Sequence, residues 1–396
     1  MSNFKFFRLL RKANFMNNRN IFLSVSSMDS YTLPKKPDLK SLLNNSVSYI
    51  ENNALDPWIT QEYSVKRNNQ SDHSIRLNVN PRETSVLLFP GQGSQFVGMG
   101  KSLLSYPNVK DMFECASEVL RYNLLDLCIN GPQDMLNMTV HSQVAVVVTS
   151  LAAVEKLRAE SPEAIENCAA TAGFSVGEYS ALVFSGALEF EHAIKLLKVR
   201  GEAMQAASDL EPSGMMTVFL HPSAKIKSAC VAAREWCEKQ TIYNAECKVA
   251  IYMFPDCKVL AGHMEALKFL ESNAKEFGIK KMKYIPVSGA FHSKLMNPAK
   301  VVLKKALKAT PFETPIIPVH ANVDGRPYSS AEKIREKLAN QLCSAVAWEQ
   351  TMHIIYERPP GDSFPDTYEC GPGTALKSIL RFNNAPAYKH CLNVSV

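Results

Sequence analysis

At 396 residues, with 46% hydrophobic and 21% charged side chains, the chain is long enough for one large domain or two smaller ones. This composition excludes collagen, coiled coil and wholesale disorder. The formal charge of +6 suggests a polyanion partner until it is divided: residues 1–80 hold 11 of the 44 basic and 6 of the 38 acidic residues, leaving a nearly neutral remainder that disfavours nucleic-acid binding. The longest apolar stretch, Val144 to Val154, is broken by Thr149 and Ser150 and reads as too short for a membrane span. Ten cysteines, with no CxxC pair and no dense cluster, read as free thiols in a reducing compartment and suggest no metal site.

Residues 1–28 carry Lys5, Arg8, Arg11, Lys12 and Arg19, no acidic residue before Asp29, and Phe4, Phe7, Leu10 and Phe15 spaced to share a helical face. That interleaving predicts a transit peptide directing the chain to the mitochondrial matrix; a disordered basic tail is the plainer alternative. A secretory signal fits less well, because the apolar block is short and interrupted by charge. Residues 29–83, with Pro34, Pro37 and many Asn and Ser, read as a linker with short lead-in helices, for example around Leu39 to Asn53.

From Ser85, the run Val86-Leu87-Leu88-Phe89 predicts a short strand stopped by Pro90-Gly91. Helical periodicity follows over 111–127 and 142–159. A strand at Thr171-Ala172 ends in a turn at Gly173, and 189–207 is amphipathic, with Phe190, Ala193, Ile194, Leu197 and Met204 on one side. This alternation predicts an α/β fold: an α/β-hydrolase-like core with a mostly parallel sheet over 84–213 and 289–396. Between them the elements shorten to a strand at 215–220, a helix at 223–239, strands at 248–252 and 258–261, a helix at 266–276 and a strand at 283–287. That βαββαβ order predicts a ferredoxin-like subdomain over 214–288.

The sharpest chemical signal is Gly173-Phe174-Ser175-Val176-Gly177, a G-x-S-x-G sequence ahead of a helix-forming stretch. Flanking glycines allow a tight turn that projects the Ser175 hydroxyl toward the helix N-terminus and leaves the Val176 N–H placed for an oxyanion. A serine nucleophile needs a base. His292, in Ser288-Gly289-Ala290-Phe291-His292-Ser293, follows a strand and small residues that could thrust it into a cleft; a core imidazole satisfied by a carbonyl is the plainer reading. Phe89-Pro90-Gly91-Gln92-Gly93-Ser94-Gln95 is a second glycine-rich turn. It fits a simple βα loop, a phosphate site lacking the P-loop lysine, or a loop whose Gln92 N–H is a second oxyanion donor, and spacing does not choose among them. Arg200, beside Lys198 on the amphipathic helix, reads from periodicity alone as a solvated helix-face residue.

Taken together, Phe89 to Gln95, Gly-Phe-Ser-Val-Gly-Glu-Tyr-Ser-Ala-Leu (173–182), Arg-Gly-Glu-Ala-Met-Gln (200–205), Pro-Val-Ser-Gly-Ala-Phe-His-Ser (286–293), Asn-Gln-Leu (340–342) and Glu-Cys-Gly-Pro-Gly (369–373) resemble, in order, the motifs of malonyl-CoA:acyl carrier protein transacylases. Gly-Phe-Ser, Phe-Pro-Asp-Cys (254–257) and the leader look most like the animal mitochondrial branch. The resemblance implies an acyltransferase that moves malonyl from malonyl-CoA to the phosphopantetheine thiol of acyl carrier protein for mitochondrial fatty-acid synthesis, with no metal or redox cofactor. It implies Ser175 as nucleophile, His292 as base oriented by a backbone carbonyl near Gln341, Gln92 and Val176 as oxyanion donors, and Arg200 as the clamp on the malonyl carboxylate. Phe291 is expected to fill the space that a methylmalonyl branch would need.

Several positions depart from the family pattern. Ile251 and Met253 stand where bacterial members carry asparagines, Ser344-Ala345-Val346 lacks a proline, and Phe174 replaces a histidine. Lys280, Lys281, Lys283, Lys294 and Arg381 are candidates to meet an acidic carrier, although each also fits a solvated charge. Two rivals remain at this stage. A serine hydrolase would use the same elbow but gives Arg200 no role, and an inactive interaction protein gives no reason to keep Ser175, His292 and Arg200 together.

Overall fold

The computed structural model describes residues 79–358 and 361–396. The expected transit peptide, and the lead-in helices around 39–53, lie outside the described residues.

The elements run β1 (Ser85–Phe89), α1 (Val109–Leu120), α2 (Leu124–Asn130), α3 (Gln133–Asn137), α4 (Thr139–Glu160), α5 (Pro162–Glu166), β2 (Cys168–Gly173), α6 (Gly177–Phe184) and α7 (Phe190–Ser208). The smaller layer follows: β3 (Ser213–Leu220), α8 (Ile226–Lys239), β4 (Cys247–Phe254), β5 (Cys257–His263), α9 (Met264–Ser272) and β6 (Ile279–Ile285). The chain then returns through α10 (Asn297–Ala309), β7 (Val319–His320), α11 (Ala331–Gln341), α12 (Trp348–Tyr356), β8 (Asp366–Cys370), α13 (Ala375–Asn383), α14 (Ala385–Tyr388) and β9 (Cys391–Val394).

The main sheet has the order β7-β2-β1-β8-β9, and every pairing in it is parallel. Helices cover both of its faces, which is why β1 and β2 are buried along their whole length and carry apolar or small residues without alternation. The second sheet is antiparallel in the order β4-β5-β3-β6, the ferredoxin-like arrangement for βαββαβ connectivity. Alternation along its strands serves two cores. Met216, Val218 and Leu260 pack with α8 and α9, whereas Met215, Val259 and Ala261 face the main core. Its lysine-rich β6 is an edge strand, where exposed Lys280, Lys281 and Lys283 also discourage strand addition.

Two expectations change. The periodicity over 111–127 resolves into two helices, because Arg121 turns left-handed (φ 66°) and Asn123 caps a new start by accepting from the Asp126 N–H at 2.9 Å. The apolar run at 144–154 belongs to a 22-residue helix, α4, which is long and apolar enough to span a bilayer. In this fold, however, α4 is buried almost all round as the helix against which α6 and α7 pack. All ten cysteines are free, and nine are buried.

Candidate active site

The site forms at the carboxyl ends of β1 and β2, two of the three inner strands of the parallel sheet, where open α/β sheets bind ligands. Gly173 and Gly177 make the elbow possible. A Cβ on Gly173 would lie 1.9 Å from the Gly177 carbonyl oxygen, and one on Gly177 would lie 2.4 Å from that of Phe89. Between them Ser175 is held at φ 53°, a left-handed conformation that a non-glycine residue adopts only under constraint. Asn322, two residues beyond β7, supplies that constraint: its Oδ1 accepts the Ser175 N–H and its Nδ2 donates to the Gly173 carbonyl, both at 2.6 Å. The β1 loop is tied to the elbow by the Phe174 N–H donating to the Phe89 carbonyl at 2.9 Å. At Gly91, an added Cβ would meet the Phe174 carbonyl oxygen at 2.4 Å. The N–H groups of Gln92 and Val176 meet no acceptor among the described residues.

Ser175 Oγ lies 2.9 Å from His292 Nε2, and His292 Nδ1 lies 2.8 Å from the Gln341 carbonyl oxygen. Gln341 is the last residue of α11, where helix geometry leaves carbonyls without intrahelical partners. That carbonyl receives the Nδ1–H, which leaves the Nε2 lone pair facing the serine hydroxyl. His292 is itself in a left-handed turn (φ 61°) and is buried. Burial lowers its pKa to about 4, assisted by the positive charges of Arg200 and Lys248 and opposed by the bond to Gln341.

Arg200 is fully buried. Its neighbour Gly201 lets α7 approach α4 closely, since a Cβ there would lie 3.1 Å from Val140 Cα. This contact brings the guanidinium to Gln143 on α4, whose Oε1 accepts from Nη1, while Nη2 donates to Gln341 Oε1 at 3.0 Å. Both partners are neutral amides, and Nε is buried without a hydrogen-bond partner among the described residues. Burial lowers the Arg200 pKa; the Tyr179 and Glu178 side chains oppose that shift. A buried cation so arranged is suited to receive an anion.

Ser175, His292, Gln341 and Arg200 therefore meet in one polar network. Gln92 joins it through Gln143 Nε2, 3.4 Å from its Oε1, and Phe291 is buried in the main core beside His292. Of the departures, Ile251 lies in β4, which pairs with the segment around Val346 through the Tyr252 N–H to Val346 carbonyl bond at 3.0 Å. Phe174 meets buried Trp348 edge-on, with 5.2 Å between ring centroids. Sequence reasoning missed four residues: Gln143, Asn322, Glu178 and Tyr328. Glu178 is buried three residues after the serine and accepts from the Tyr328 hydroxyl, Gln341 Nε2 and the Asn322 N–H. Burial pushes its carboxyl up to about 7. An acidic residue directly after the elbow was the available signal for it; a polar Ser142-Gln143 step inside an apolar helix was the signal for Gln143.

A serine and imidazole on a strained strand-to-helix turn, beside a cation without a carboxylate partner, define a serine acyltransferase that handles an anionic acyl group. The chain belongs to the acyl transferase domain family, whose match covers residues 86–361. It is 51% identical over 316 residues to the human malonyl-CoA-acyl carrier protein transacylase, mitochondrial, covering 80% of this chain and 81% of that protein. Among solved structures, it is similar to the malonyl CoA-acyl carrier protein transacylase of Coxiella burnetii, with a TM-score of 0.71 and 32% identity over 80% of this chain and 95% of the other. It is also similar to a malonyl-transacylase solved in complex with a type II PKS acyl-carrier protein, with a TM-score of 0.68 and 32% identity over 79% of this chain and 96% of the other.

Proposed function

We propose that this chain transfers malonyl from malonyl-CoA to the phosphopantetheine thiol of acyl carrier protein through a malonyl-serine intermediate, supplying mitochondrial fatty-acid synthesis. The observation that carries this reading is the buried Arg200 guanidinium, hydrogen-bonded to two neutral amides and lying over the Tyr179 ring, in the same network as the Ser175–His292 pair. In the first half-reaction Ser175 Oγ attacks the thioester carbonyl carbon as its proton passes to His292 Nε2. The N–H groups of Gln92 and Val176 receive the oxyanion. The C–S bond then breaks, and Nε2 returns its proton to the leaving CoA sulfur. In the second half-reaction the carrier thiol gives its proton to Nε2 and its sulfur attacks the malonyl-serine ester; Ser175 Oγ leaves and takes that proton back. No step calls for a metal or redox cofactor.

Arg200 pairs with the free malonyl carboxylate and fixes the acyl group in one geometry. Phe291 bounds the acyl pocket and disfavours methylmalonyl. The carrier, acidic by nature, docks through exposed basic residues, for which Lys280, Lys281, Lys283, Lys294 and Arg381 remain candidates. The relatives' mitochondrial names and the basic leader support action in the mitochondrial matrix.

Intact mass spectrometry of the full chain after brief mixing with malonyl-CoA, then with holo acyl carrier protein, tests this reading. A malonyl adduct on the wild type, absent from Ser175→Ala and passed to the carrier, is the expected result. An adduct that decays to free malonate with the carrier unmodified refutes it in favour of a hydrolase. Methylmalonyl-CoA in the same assay tests Phe291, since Phe291→Ala should raise methylmalonyl loading relative to malonyl, and an unchanged ratio removes that role.

A further inference from the structure

The reaction described above makes no use of Glu178, although it is a buried carboxylate three residues from the nucleophile. Its position becomes informative once the Gln341 side chain is followed atom by atom. Both protons of the Gln341 amide are committed: one goes to the Ser175 carbonyl at 3.0 Å, the other to Glu178 Oε2. The amide oxygen then faces Arg200 Nη2 at 3.0 Å.

Rotating that amide by half a turn would set its oxygen against the Ser175 carbonyl and the Glu178 carboxylate, and its NH₂ against the guanidinium. Every contact would become donor against donor or acceptor against acceptor. A carboxylate suits position 178, because three donors converge there: the Tyr328 hydroxyl, the Asn322 N–H at 3.3 and 3.4 Å, and the Gln341 amide. A glutamine there would bring an NH₂ among those donors. The second amide on Arg200, Gln143, is held less firmly, since its NH₂ makes only 3.4 Å contacts to Gln92 Oε1 and Met204 Sδ.

We propose that Glu178 is a positioning residue that fixes the Gln341 amide with its oxygen on Arg200, and thereby sets the guanidinium that binds the substrate's free carboxylate. The inference rests on the reading of Arg200 as the malonyl clamp. The amide between the two charges is essential to it. A carboxylate in direct contact with Arg200 would occupy the donors that the substrate needs, whereas the intervening amide orients the guanidinium and leaves its outer donors open.

The test compares malonyl-CoA with acetyl-CoA, which lacks the free carboxylate, using acyl carrier protein as acceptor and rates normalised to the active sites that form an acyl adduct. Glu178→Gln should raise KM for malonyl-CoA and lower the malonyl-over-acetyl ratio of kcat/KM by about tenfold or more, with a smaller change in kcat. In a Gln341→Ala background, which keeps the backbone carbonyl that meets His292, adding Glu178→Gln should change that ratio less than twofold.

A purely structural role predicts a lower melting temperature and fewer active sites with the ratio unchanged, and that result overturns the proposal. Full multiplicative effects in the double variant do so as well. If Glu178→Gln yields no folded protein, Tyr328→Phe removes one donor from the same carboxylate and should shift the ratio in the same direction; an unchanged ratio there is equally fatal. A wild type that forms no malonyl adduct fails at an earlier step, and it removes both the clamp and the positioning role built on it.

Discussion

Replacing Arg200 with alanine separates a role in acyl selection from a role in folding, because the two predict effects of different size on different substrates. The guanidinium is fully buried and donates to two neutral amides. A substrate carboxylate docked on it makes a charge-assisted pair in a desolvated site, and losing such a pair costs about 3–5 kcal/mol. That corresponds to a drop of roughly 100- to 5,000-fold in kcat/KM for malonyl-CoA. The effect on folding is smaller. Gln143 and Gln341 each lose a donor, at about 1–3 kcal/mol apiece, but the fold no longer has to bury an unpaired charge, which offsets that loss. Initial rates with malonyl-CoA and acetyl-CoA, taken with a thermal melt, distinguish the cases. The expected result is a large fall for malonyl with acetyl within about threefold of wild type. Equal falls for both substrates would refute the clamp and make Arg200 a structural residue.

Three further outcomes follow from the elbow and its base. Asn322→Ala removes the acceptor for the Ser175 N–H and the donor to Gly173, so we expect a loss of about 1–3 kcal/mol in denaturant unfolding and a fall in kcat of about tenfold or more; unchanged kcat would show that Ser175 holds its conformation unaided. Gly177→Ala forces a methyl to within 2.4 Å of the Phe89 carbonyl oxygen, and a loss of about 1–3 kcal/mol or no soluble protein is expected, whereas a change below about 0.5 kcal/mol contradicts the packing argument. With the His292 pKa near 4, the base is already neutral above about pH 5, and kcat/KM for malonyl-CoA should fall only as pH approaches about 4. The same shift sets a stability window: the folded value lies below the unfolded one of about 6.5, so the contribution of neutral His292 is complete above 6.5 and lost as pH falls toward 4. An acid limb centred near 6.5 that persists in Glu178→Gln would contradict the buried, neutral base.

The parts of this protein that sequence made legible are those where one short segment contains its own reason. The Gly173-Phe174-Ser175-Val176-Gly177 turn needs both glycines for close approaches, one of them within the turn itself, and the short apolar runs and helical stretches between 215 and 287 report the βαββαβ order of the smaller layer. The return of the chain after 288 was harder to read. Strand β7 is two residues long and carries no periodicity, yet it delivers Asn322 to the elbow. Arg200 looked like a solvated helix residue because amphipathicity says nothing about α4, a second helix, buried almost all round, that packs against α7 and brings Gln143 to Arg200. Gln341 was expected to offer a backbone carbonyl, but its side chain also joins Arg200, Ser175 and Glu178, a junction that depends on contacts 141 to 166 residues apart.

The choice of partner for His292 follows from the charge of the proposed substrate. An imidazole that takes a proton in the transition state needs an acceptor on Nδ1, and a buried carboxylate is the usual solution. Here the acceptor is the terminal carbonyl of α11, which adds the partial negative end of a helix but no full charge. A carboxylate in that place would stand close to Arg200 and compete with the substrate for it. The carboxylate that is present, Glu178, makes no hydrogen bond to Arg200 and is linked to it through the Gln341 amide, its charge acting on the guanidinium from behind that amide. With burial lowering its pKa and the charges of Arg200 and Lys248 adding to that shift, the imidazole of the free enzyme stays neutral and ready to accept a proton. A malonyl carboxylate seated on Arg200 cancels part of that positive field and favours the imidazolium formed as Ser175 attacks. Acetyl brings no such charge, so under the proposed clamp the contact that selects the acyl group would also strengthen the proposed base.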